Sequence, residues 1–107
     1  MFTIRIMKGE PSTFRDFYPE YLAEHRDPTC RRLHFAGTTL VLAALGAAAI
    51  KRDWRWLLAA PVAGYGLAWI GHFFFEHNKP ATFRRPFYSL AGDWVMFKDI
   101  LTGRIRL

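Results

Sequence analysis

Two apolar stretches of nearly equal length, separated by a short basic connector, organise the chain. Residues 33–50 carry no formal charge unless His34 is protonated, and residues 57–75 carry only His72 as a group that can take a charge near neutral pH. Each stretch reaches the lower length limit for a helix that crosses a hydrocarbon core of about 30 Å. Small residues recur in both, among them Gly37, Ala44 and Gly46 in the first and Ala60, Gly64 and Ala68 in the second. Such residues let two membrane helices approach closely. The pattern predicts an all-α integral membrane protein built as an antiparallel two-span helical hairpin, with spans at 33–50 and 57–77 joined by a basic turn at 51–56. A soluble arrangement would have to wrap two all-round apolar helices, and a chain of 107 residues leaves too little to do so.

Shorter periodic segments flank the hairpin. Thr13 to Asp16 offers a capping box, and the apolar stripe Phe14, Phe17, Tyr18, Tyr21, Leu22 and His25 predicts an amphipathic helix over 12–27. Pro19 leaves open whether that helix starts before it or at it. Pro28 then breaks the chain ahead of the first span. After the second span, a basic loop at 78–88 bracketed by Pro80 and Pro86 leads to Leu90, Trp94, Phe97 and Leu101 at helical spacing. These predict a second amphipathic helix over 89–102, stopped at Gly103. With Asp93, Lys98 and Asp99 it is too polar to span, so it is expected in the interface or over one end of the hairpin. The whole of 1–107 then forms one membrane domain.

Charge refines this picture. The net charge of +6 flanks apolar spans instead of forming one stripe, which favours anionic lipid headgroups over nucleic acid. The connector carries Lys51, Arg52 and Arg55, against twelve basic residues in the two outer segments, Arg5 and Lys8 among them. That asymmetry places both termini on the cytoplasmic side, with Trp54 and Trp56 anchoring the opposite interface. The first thirty residues hold no secretory pattern, so the first span is the expected insertion signal of a multi-pass protein. The single cysteine, Cys30, rules out an internal disulfide.

Four histidines supply the candidate chemistry. His34 lies seventeen residues before Lys51 and His72 sixteen after Trp56. At about 1.5 Å per residue each is roughly 25 Å from the turn, so a hairpin brings both to one depth. His25, across the Pro28 break, folds towards them. His72 and Glu76 are four apart on one helix face, whereas His77 is rotated away. Three imidazoles, or two with a carboxylate, hold a mononuclear metal and leave positions open, and ionisable groups at membrane depth are usually functional. His25, His34 and His72 are therefore the candidate ligands, with Glu76 beside them and His77 outside. Arg31, Arg32, Arg84 and Arg85 are candidates for holding a carboxylate, because guanidinium groups bind it bidentately. A pair of facing imidazoles ligating b-type haem, other metal binding without catalysis, and a non-catalytic scaffold driven by the small-residue spans remain alternatives.

The strings Phe17-Tyr18-Pro19 with Glu24-His25, His34-Phe35-Ala36-Gly37-Thr38, Trp69-Ile70-Gly71-His72-Phe73-Phe74-Phe75-Glu76 and Pro80-Ala81-Thr82-Phe83 resemble the 2-hydroxy fatty acid dioxygenases, fungal proteins of phytosphingosine degradation with short bacterial relatives. The resemblance runs roughly from Phe14 to Ile105. It implies an Fe(II)-dependent membrane dioxygenase that uses dioxygen to shorten a 2-hydroxy fatty acid by one carbon, in alpha-oxidation. It also implies that His25, His34 and His72 are the iron ligands and that Glu76 occupies the matching acidic position. A bacterial inner membrane is the expected location. Two spans bury little surface, so pairing with a second copy is expected.

Overall fold

A computed structural model describes residues 13–107; residue 12, Arg5 and Lys8 lie outside the described residues. The chain runs through α1 (Phe14–Ala23), α2 (Pro28–Lys51), α3 (Trp56–Ile70) with a π-helical extension (Gly71–Glu76), a 3₁₀ turn (Ala81–Phe83) and α4 (Pro86–Leu101). The described residues contain no strand.

Local chemistry sets these boundaries. Thr13 Oγ1 accepts the Asp16 N–H at 3.2 Å and starts α1. The helix then runs through Pro19 instead of starting there. The proline withholds an N–H only from the carbonyl of Arg15, an exposed residue. Pro28 begins a helix as well as ending a loop: it occupies the first turn of α2, while Asp27 Oδ1 accepts the Cys30 N–H at 3.0 Å. Capping therefore starts α2 ahead of the apolar stretch, and Arg31 and Arg32 fall inside it.

The two long helices form the hairpin. α2 has 24 residues and Trp56–Glu76 has 21, about 36 and 31 Å of helix. Both are long and apolar enough to cross a membrane. They meet where side chains are absent: a Cβ on Gly37 would lie 3.4–3.5 Å from the backbone of Ala63 and Gly64, and one on Gly71 would lie 3.1 Å from Cys30 Cα and Sγ. Leu40, Leu42, Leu45, Ile50, Leu58, Val62 and Phe74 point outward, whereas His25, His34, His72 and Asp99 are buried. Apolar outside and polar inside inverts the arrangement of a water-soluble protein.

α1 and α4 pack together against one end of the hairpin. Phe17, Tyr21, Ala81 and Met96 form a buried cluster edged by Phe14, Tyr18, Leu22, Tyr88, Ile100 and Ile105. The stripe of α1 thus faces inward as its periodicity predicts. The stripe of α4 does so only in part: Phe97 stacks on Phe35 of α2, whereas Leu90, Trp94 and Leu101 are exposed, and Ser89, Gly92, Met96 and Asp99 are buried instead. The cause is α1, whose tyrosines need room and acceptors. The ring of Tyr21 lies where a Cβ on Gly92 would be 2.9 Å from it. Its hydroxyl donates to Asp93, and that of Tyr18 donates to Asp99 at 2.8 Å. The molecule measures 52 × 27 × 26 Å, so its long axis exceeds the hydrocarbon thickness of about 30 Å.

Candidate metal centre

Three histidines from three elements converge beneath the α1–α4 layer. His25 follows α1, His34 lies in α2, and His72 lies in the π-helical segment. They are 1%, 5% and 1% exposed. Their ring centroids are 4.4–4.9 Å apart with each pair edge to face. One ring nitrogen from each lies within 4.8 Å of the other two.

The remaining ring nitrogens fix the orientation. His25 Nδ1 is 2.6 Å from the Tyr21 carbonyl, His34 Nδ1 2.9 Å from the Cys30 carbonyl, and His72 Nδ1 2.6 Å from Asn78 Oδ1. All three acceptors are oxygens without a proton to give. Each Nδ1 must therefore carry the hydrogen and donate it, which leaves each Nε2 as a bare lone pair. His25 Nε2 and His34 Nε2 are 3.1 Å apart. Two nitrogens about 2.1 Å from one ion at angles of 90–110° are about 3.0–3.4 Å apart. Lone pairs converging at that distance with no proton between them repel, and a cation removes the repulsion. The donor set fits a divalent transition metal, and the outward hydrogen bonds are of the kind that orient metal-bound imidazoles.

Each element reaches the centre for a local reason. Glu76 follows His72 by four residues in the same π-helical segment but is not among the three clustered ligands. Its Oε1 accepts the Asp27 N–H at 2.8 Å and ties the end of the second span to the loop carrying His25. His77 adopts the left-handed conformation (φ 61°) and ends the π-helical segment, its N–H bonding the His72 carbonyl. That reversal swings Asn78 back onto the His72 ring. Asn78 Nδ2 also donates to the Glu24 carbonyl at 3.1 Å, linking the second span to α1.

Tyr21 supports His25 from both sides. Its carbonyl accepts the Nδ1–H, and its ring stacks on the imidazole with centroids 4.0 Å apart. Burial, then the Asp93 carboxylate, raises the phenol far above its ordinary value, so Tyr21 remains a donor to Asp93. Burial pushes the Asp93 carboxyl up to about 6 against the lowering effect of that hydrogen bond. At His25, burial and then the His34 and His72 rings hold the imidazole far below its ordinary range. It is unprotonated at neutral pH, as a metal ligand must be.

The arginines occupy other places. Arg31 Nη1 donates to the carbonyls of His25 and Arg26, and its Nε to that of Arg106, each at 3.1 Å. Arg84 pairs with Glu24 at 2.9 Å. Arg85 lies 6.0 Å over the Tyr88 ring beside Arg84, and Arg32 is exposed on α2. Cys30 is fully buried, its Sγ 3.8 Å from His34 Nδ1; its small size admits Gly71. Sequence reasoning missed Asn78 and the Tyr21–Asp93 pair. Tyr21 was readable as the residue one turn before His25. Asn78 gave only the signal of an amide just ahead of Lys79-Pro80, where a helix must end.

A family model described as 2-hydroxy-palmitic acid dioxygenase Mpo1-like matches residues 11–105. Neither curated proteins nor solved structures gave a significant match.

Proposed function

Because the chain belongs to the 2-hydroxy-palmitic acid dioxygenase Mpo1-like family, we propose that it is an Fe(II)-dependent membrane dioxygenase that shortens 2-hydroxy fatty acids by one carbon, with His25, His34 and His72 as its iron ligands. The observation that carries this reading is the convergence of three Nε2 lone pairs whose Nδ1 hydrogens are all committed elsewhere.

Iron bound there would supply the redox-active centre through which dioxygen reacts with the hydroxy acid, breaking the bond between carbons one and two. The protein's own work is positional. Tyr21, Cys30 and Asn78 hold the imidazoles in one tautomer and one orientation, so little reorganisation accompanies binding. The α1–α4 layer covers the centre and keeps water from it. Glu76 acts as a positioning residue through Asp27. Arg31 does the same through the His25 carbonyl, which leaves Arg32, Arg84 and Arg85 as the candidates to meet the substrate carboxylate. The outward apolar surface supports a place in the bilayer with the histidine end at the interface. The excess of basic residues in the outer segments supports cytoplasmic termini, in a bacterial inner membrane by likeness to short bacterial relatives. The hairpin's exposed small and apolar faces also suit pairing with a second copy.

Bis-histidine haem fits less well. Axial nitrogens on opposite sides of one iron are separated by about 4 Å with a ring plane between them, whereas His25 and His34 approach to 3.1 Å with His72 beside them. The test is the incubation of iron-loaded protein with 2-hydroxypalmitic acid under oxygen. It should form the acid one carbon shorter and consume oxygen, and both should disappear in His72→Ala. No product at any chain length would refute the activity.

A further inference from the structure

Beside the centre lies a cavity of about 230 Å³ bounded by α2, α3 and α4. His34, Thr38, Asp93 and the Tyr65 phenol line it, and the rest of its wall is apolar, with Val41, Ala60 and Pro61 among the lining residues. Along α2 it extends from His34 to Val41, and along α3 from Ala68 back to Ala60. At 1.5 Å per residue either path is about 10–12 Å. The cavity therefore begins where His34 stands and runs along the hairpin towards the connector, into the part of the spans that lies deepest in the bilayer.

Its shape follows from particular residues. Ala60, Gly64 and Ala68 leave the space that larger side chains would fill. Pro61 has no N–H to give to the helix ladder and presents a ring to the far end. Leu90 and Trp94, on the outward stripe of α4, form the rim and are part-exposed. Two residues of the apolar stripe of α4 thereby have a cavity to cover. Asp93 gives one oxygen to the Tyr21 hydroxyl. Among the described residues its other oxygen has no partner, which leaves a polar acceptor at the histidine end.

We infer that this cavity holds the acyl chain of the 2-hydroxy acid, with the head group at the histidine end and the chain running towards Ala60 and Pro61, and that Ala60 limits the chain length accepted. The inference rests on the function proposed above, and three observations carry it. The cavity shares His34 with the metal centre, so an occupant is continuous with the reacting position. Its polarity changes from polar to apolar along its length, as it does along a hydroxy acid. Its direction matches the way an amphiphile lies in a leaflet, head at the interface and tail inward. At 230 Å³ it is smaller than the roughly 300–1,000 Å³ of sites that enclose drug-sized ligands. It encloses the carbons nearest the head, and a longer chain must continue past Ala60 and Pro61 at its far end.

The test compares the kcat/KM ratio of a long-chain to a short-chain 2-hydroxy acid in wild type, Ala60→Phe and Trp94→Ala. Adding a bulky ring at Ala60 should lower the ratio at least about tenfold, the scale on which apolar sites sense lost methylene contacts. Opening the rim with Trp94→Ala should raise it or shift the optimum to bulkier chains. Because Trp94 sits at the part-exposed rim, that variant decides the matter if Ala60→Phe does not fold. Ratios unchanged in the folded variants would overturn the assignment. If wild type turns over no 2-hydroxy acid, the proposed activity fails separately. Quenching of Trp94 fluorescence by a chain-brominated 2-hydroxy acid, read against Trp94→Phe, then tests the cavity alone. Quenching lost in Ala60→Phe supports it. Absent quenching, or quenching by a brominated phospholipid alone, overturns it.

Discussion

Asn78 accepts the Nδ1 hydrogen of His72 at 2.6 Å while its own amide nitrogen donates to the Glu24 carbonyl at 3.1 Å. One side chain thus sets the tautomer of the histidine on the second span and fastens that span to the end of α1. Asn78→Ala removes both bonds and should lower metal affinity about 10–100-fold, the range for partners that orient metal-bound histidines. Asn78→Asp keeps the acceptor and should recover most of the loss. Equilibrium metal titration of the three proteins checks this; equal affinities would assign Asn78 no part in the centre.

Gly92 is the notch into which Tyr21 fits, and Tyr21 stacks on His25. In Gly92→Ala the new methyl would sit 2.9–3.0 Å from Tyr21 Cε2 and Cδ2, so the ring must tilt or α4 must move. The expected cost is about 1–3 kcal/mol of stability, together with weaker metal binding because His25 turns with the ring. Thermal unfolding and metal titration read the two effects. A variant destabilised with unchanged affinity would disconnect the notch from the centre.

Much of this arrangement was legible in the chain. The near-equal distances of His34 and His72 from the connector place them at one depth in any hairpin, and the stripe ending at His25 predicts the third member. Other features were hidden because they depend on backbone departures or on partners distant in sequence. Helical periodicity aligns Glu76 with His72, but it cannot show that the carboxylate is taken by the Asp27 N–H, a partner distant in sequence. The left-handed residue at His77 is what returns Asn78 to the ring. The stripe Leu90, Trp94 and Leu101 marks an apolar face of α4 correctly, but periodicity cannot say whether such a face meets protein or lipid. That was decided by Tyr18 and Tyr21, which claimed the opposite face through Asp99 and Asp93. The sequence offered Arg31, Arg32, Arg84 and Arg85 for the carboxylate without choosing among them, and in the fold Arg31 is already engaged by carbonyls.

Asp93 should give the stability a distinctive pH dependence. Its folded pKa of about 6 lies above the unfolded value of 3.8, so between these values the folded state binds more protons than the unfolded state. The contribution of this group therefore becomes more favourable as pH falls from 6 towards 4, and less favourable as pH rises through 6. Asp93→Asn keeps an acceptor for Tyr21 and removes the charge. Relative to wild type it should gain stability at neutral pH, on the order of 2–3 kcal/mol, with the difference shrinking towards pH 4. Parallel stability curves would contradict a buried charge at this position.

Arg31 tests the distinction between positioning and substrate contact. Arg31→Gln loses bonds to three carbonyls, that of His25 among them, each neutral acceptor worth about 1.5–3 kcal/mol to a charged donor when well buried and less at a surface. It should weaken metal retention while leaving KM for the hydroxy acid within about twofold once iron is saturating. A large KM increase with metal retention intact would return Arg31 to the substrate.

The central claim is that His25, His34 and His72 hold a single metal ion. Its most direct measurement is the iron content of the wild-type protein and of His25→Ala, His34→Ala and His72→Ala, each loaded anaerobically with Fe(II) and freed of excess. The wild type should retain one iron per chain, as one cluster of three ligand nitrogens among the described residues implies, and each variant should retain far less. A wild type that holds no iron, or variants that hold as much as it does, would contradict the claim.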